Sequence, residues 1–91
     1  MIDVSRVVFN SNRAGARFLL TDLALGILFS EIANKSKDAV TVRRNRDNAL
    51  IAYNSTLRLF HRLTLIHSED LAIREKLAEL KTRLESIADK G

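Results

Sequence analysis

No proline interrupts this chain, and its three glycines stand at Gly15, Gly26 and Gly91. All-β folds draw heavily on both residue types for their turns, so a chain this poor in them is expected to be all-α. The spacing of apolar side chains then sorts the helices. Between Asp38 and Thr64, Ala49, Tyr53, Thr56, Phe60 and Leu63 recur at steps of four and three, and Leu50, Ala52, Leu57 and Leu59 widen that face on either side. A face so broad needs two partners, and the sequence before and after it offers one each. The expectation is an antiparallel three-helix bundle over about residues 12–34, 39–65 and 69–88, forming one domain of residues 1–91, with the middle helix at its centre.

The first ten residues, MIDVSRVVFN, alternate like a strand at Ile2 and Val4 and also line a helical turn at Val4, Val7 and Val8. They are expected as a short apolar arm, closing the end of the bundle or entering a neighbouring subunit. Ser11 or Asn12 is a suitable cap for the first helix. From there to Asn34, Phe18, Leu19, Leu20, Leu23, Leu25, Ile27, Leu28, Phe29 and Ile32 leave hardly any polar face, which predicts a helix covered on most sides. Gly26 costs about 1 kcal/mol there relative to alanine, and close approach of another helix is the expected compensation.

Residues 34–37, NKSK, end that pattern. Ser36 or Asp38 can cap the second helix, although the β-branched Val40, Thr41 and Val42 could delay its regular part to about Arg44. Ser68, with Glu69 and Asp70 behind it, places a cap and two negative charges at the start of the third helix. There Ile73, Leu77, Leu80, Leu84 and Ile87 form a heptad seam, Glu79 and Arg83 make an i,i+4 pair, and Lys90 and Gly91 suit a helix end. The expected core is Phe18, Leu23, Gly26, Ile27, Ala49, Tyr53, Leu57, Phe60, Ile73, Leu77, Leu80 and Leu84.

Gly26 with Phe29 three residues on, followed by Ala49, Tyr53 and Leu57, resembles the small and aromatic positions of tetratricopeptide-type helical hairpins. The stretch NALIAYNSTLRLF is similar to the alanine and tyrosine pattern of the microtubule-interacting-and-transport domain, a three-helix relative of that hairpin. The resemblance covers residues 24–60. It implies a helical hairpin plus a third helix, with helices or a connection longer than in a tetratricopeptide repeat, and it implies peptide or protein binding.

Hydrophobic residues make up 46% and charged residues 29% of the chain, a composition that folds rather than staying disordered. With no cysteine there is no disulfide or thiolate chemistry, which suits a reducing compartment, and the cytoplasm is the expected location. The most apolar window, residues 18–33, contains Asp22, Ser30 and Glu31 and falls short of a membrane span, so no membrane association is expected. His61 and His67 are too far apart in sequence to form an i,i+4 metal pair, and no serine sits in a glycine-flanked elbow or phosphate loop. No enzyme activity, metal or cofactor is expected. Tyr53 is expected to pack its ring in the core with its hydroxyl at the rim.

Charge is the remaining signal. Residues 1–46 hold eight Lys and Arg against four Asp and Glu, whereas residues 47–91 hold seven of each. Lys35, Lys37, Arg43, Arg44 and Arg46 crowd one stretch with Asp38 as its only acid. They read as a solvated helix end, a patch for an acidic partner or a track for nucleic-acid phosphates, although no aromatic residue is interleaved to stack bases. The functional expectation is an intracellular protein-interaction or assembly module, by binding a protein partner or by self-association. The alternative is a nucleic-acid binder that uses residues 35–46.

Overall fold

The computed structural model describes residues 4–88, and these form three α-helices with no strand: α1 (Val4–Lys35), α2 (Ala39–Phe60) and α3 (His67–Ala88). All three pack against one another as a bundle. The expected centre is displaced, however. α2 and α3 lean chiefly on α1 and meet each other over a narrower strip, so α1 is the spine. At 32 residues it is about 48 Å long, against about 33 Å for each partner. The molecule measures 57 × 22 × 16 Å, and its 15.6 Å radius of gyration exceeds the roughly 12 Å of a rounded domain of this length.

The extra length of the spine comes from the segment expected as an arm. Residues 4–10 continue α1 as helix, and residues 1–3, including Ile2, lie outside the described region. Strand-like alternation over two residues carries little weight beside the cooperative extension of an existing helix, where each added residue closes one more hydrogen bond. Asn12 is accordingly no cap. It lies inside α1, where its Nδ2 donates to the Val8 carbonyl at 3.1 Å and its Oδ1 accepts from the Thr64 amide at 3.0 Å. Arg13 beside it donates to the Thr64 carbonyl and pairs with Glu69 at 2.8 Å, both side chains 15% exposed. These two neighbours tie the α2–α3 connection to the spine, and the turns before Asn12 run on past it.

That connection is longer than expected because α2 stops at Phe60. Leu63 and Leu65 still pack against the core from outside any helix. α3 begins at His67, two residues early, and Ser68 is not its cap. Instead Glu69 reaches back to accept from the Ile66 amide at 3.1 Å, while the Ile66 carbonyl takes the first helical bond from Asp70. This is the returning half of a capping box. At the other connection only residues 36–38 separate α1 from α2. Asp38 caps α2, accepting from the Thr41 amide at 3.1 Å and the Thr41 hydroxyl at 2.6 Å, and the β-branched residues that follow do not delay the helix. The expected end at Lys90 and Gly91 lies outside the described residues.

The core collects Ala16, Leu19 and Leu23 from α1, Ala49 and Phe60 from α2, and Ile73, Leu77 and Leu80 from α3. Of the other residues expected there, Gly26 is buried, and Ile27, Tyr53 and Leu84 are half-buried against the core. Gly26 is where the backbones close up. A methyl group built on it would stand 3.0 Å from the Ala52 methyl and 2.9 Å from a Leu80 methyl. Two expectations fail: Phe18 is 60% and Leu57 is 39% exposed, as is Leu50 at 44%. With α2 and α3 both pressed on the spine, neither the flank of α2 nor the back of α1 has a helix left to cover it.

Candidate functional site

The seam of α1 that faces the bundle is Ala16, Leu19, Leu23, Gly26, Ser30 and Ala33, stepping by three and four. Displaced by two residues runs a second set with the same rhythm: Phe18, Thr21, Leu25, Leu28 and Ile32. Two residues turn a helix by about 200°, so this second stripe lies on the opposite side. Every member is exposed, the apolar ones by 60% at Phe18, 45% at Leu25, 48% at Leu28 and 40% at Ile32. The prediction that α1 is covered on most sides is therefore corrected. α2 and α3 cover one side, where Leu19 and Leu23 are buried among the small Ala16, Gly26, Ser30 and Ala33, and large apolar side chains stand exposed on the other.

Four large apolar residues along about 21 Å of one helix form a continuous patch rather than the scattered leucines of an ordinary surface. In heptad terms Phe18, Leu25 and Ile32 take the first apolar position and Thr21 and Leu28 the second. Arg17 and Asp22 flank the stripe on opposite sides. Neither makes an ion pair or hydrogen bond among the described residues. Glu31, further along, is held by Arg83 at 3.4 Å.

The basic residues lie at the α1–α2 end of the rod, and Lys35, Lys37, Arg43, Arg44 and Arg46 are all exposed. Lys37, Arg43 and Arg46 come together around an open hollow of about 460 Å³, whose floor includes Ala33, Val42 and Ile87. Lys35 and Arg44 do not line it. Asp38, the acid within this run, is committed to capping. Its hydrogen bonds from Thr41, helped by the Arg44 charge, hold its carboxyl below the usual carboxylate range. Arg46 has the nearby Asp47 carboxylate at 3.7 Å, a loose contact between exposed groups.

Both histidines are exposed at the α2–α3 corner. His61, His67 and Asp70 border one shallow hollow at the α2–α3 corner with Phe60 as neighbour. The His61 ring stands edge-on to Phe60 at 5.4 Å, and Arg74 lies 4.9 Å over the Phe60 face. No group of metal-ligating side chains converges there or elsewhere among the described residues. Among the described residues no helix is long and apolar enough to cross a membrane. The surface thus carries a basic hollow, the apolar stripe along α1 and, on the uncovered flank of α2, the exposed Leu50, Ile51 and Leu57. No family model, curated protein or solved structure matches the chain.

Proposed function

We propose that this chain is a helical assembly module that performs no chemistry and docks through the outer face of α1. The observation that carries this reading is the exposed stripe Phe18, Leu25, Leu28 and Ile32, which has the spacing of a helix seam and no partner among the described residues. Leaving such a patch in water is unfavourable by roughly 25 cal/mol per Å², and covering it with another apolar helix face recovers that free energy. The resemblance of residues 24–60 to peptide-binding hairpins agrees with an interaction role. Affinity capture from the native cell tests it: proteins held by the wild-type chain are expected to be lost with Leu25→Lys. An identical set retained by both proteins contradicts the reading.

The second reading is nucleic-acid binding, favoured by the gathering of Lys37, Arg43 and Arg46 around one hollow. It requires retardation of DNA or RNA at low salt, falling steeply as salt rises, with a flatter slope after Arg43→Ala and Arg46→Ala. Absence of retardation at low salt removes it.

A further inference from the structure

We infer that the outer face of α1 pairs with the same face of a second copy, the two spines running parallel and in register; this rests on the module reading above. Heptad geometry sets the direction. In a parallel pair, the residue before the first apolar position of one helix faces the residue five places later on its partner. Arg17 occupies the first of these places and Asp22 the second, so each copy offers one cation and one anion where its partner needs them. Twofold symmetry makes the contact twice, Arg17 to Asp22 and Asp22 to Arg17.

Within one chain those two side chains cannot meet, because five residues place them about 140° apart on the helix, and both stand unpaired among the described residues. An antiparallel pair would instead set Arg17 near Glu31, which Arg83 already holds. The stripe itself carries no charge, and a parallel pairing stacks Phe18, Leu25, Leu28 and Ile32 each on its own copy. α2 and α3 lie on the far side of each spine and leave the approach open. The seam is short, about four turns, so the pairing belongs to the smaller, concentration-dependent class of interfaces.

The chain has no cysteine, so a single introduced thiol reports its own meeting point. Under mild oxidation at high concentration, Phe18→Cys and Ile32→Cys, at opposite ends of the stripe, are each expected to form a disulfide-linked homodimer. Linkage only when the two variants are mixed means antiparallel pairing and overturns the inference. In sedimentation, Arg17→Glu is expected to weaken self-association several-fold, and Asp22→Arg added to it to restore it, with helicity unchanged throughout. A wild-type chain that stays monomeric at the highest soluble concentration overturns self-pairing. If such a monomer still captures another protein through Leu25, the module reading stands without this inference; if capture is also indifferent to Leu25, both fall.

Discussion

Thr56 is completely buried on α2, and its hydroxyl has no hydrogen-bond partner among the described residues. A buried hydroxyl without a partner retains its desolvation cost, so Thr56→Val is expected to stabilise the fold by about 1 kcal/mol. Thermal unfolding should show it as a rise of roughly 4–8 °C, and a fall would mean that the hydroxyl is satisfied. Gly26 gives the opposite sign. Alanine would improve helix propensity by about 1 kcal/mol, but its methyl would meet Ala52 at 3.0 Å and Leu80 at 2.9 Å. The Leu80 end can rotate away, whereas the Ala52 methyl can move only with the α2 backbone. Overpacking is therefore expected to win, leaving Gly26→Ala about 1–2 kcal/mol less stable in denaturant titration. The close approach at Gly26 was legible in the sequence, since a helix interior tolerates glycine best where a neighbour needs the space. The orphan hydroxyl was not, because Thr56 fits an apolar seam whether or not its oxygen finds a partner.

At the scale of the helix, α3 was the most readable element. Ile73, Leu77, Leu80, Leu84 and Ile87 are nearly its whole stock of large apolar residues, so only one face could be the inner one. α1 has apolar residues nearly all round, and periodicity alone does not choose between its faces. The two faces differ in their share of small residues: the inner seam intersperses Ala16, Gly26, Ser30 and Ala33 with Leu19 and Leu23, and the outer stripe holds Phe18, Leu25, Leu28 and Ile32. The small residues let the helix axes approach closely, and Leu19 and Leu23 fill the space between them. The end of α1 was legible from the polar run at residues 34–37, and Asp38, one of the two cap candidates for α2, is the one that caps it. Its lowered carboxyl pKa means that folding favours the ionised form. The cap's contribution is thus complete above about pH 4, the unfolded carboxylate value, and is lost as pH falls through the lower folded value. Asp38→Asn should flatten the loss of helicity below about pH 4 in circular dichroism, and an unchanged profile would assign the acid sensitivity to other carboxylates. The start of α3 was missed because Glu69 reaches back to the Ile66 amide, so the apolar Ile66 takes the cap position in place of Ser68, and the Thr64 backbone just before it is held by Asn12 and Arg13, more than fifty residues away in sequence.

Taken whole, the molecule is a spine with two faces, one closed by its own chain and the other open along about 21 Å. The three-helix architecture followed from pattern because apolar periodicity and the absence of turn residues agree. The open apolar stripe did not, since it exists only once α2 and α3 have both chosen the same side of α1. The most direct measurement of this arrangement is the thiol-labelling rate of Leu25→Cys on the outer face, with Ala16→Cys on the inner face as control, followed from dilute to concentrated protein. Ala16→Cys is expected to stay protected throughout, while Leu25→Cys reacts at nearly the rate of a free thiol when dilute and becomes protected as concentration rises. Protection of Leu25→Cys at every dilution would mean that the chain covers this face itself, and full reactivity at every concentration would mean that a second copy does not.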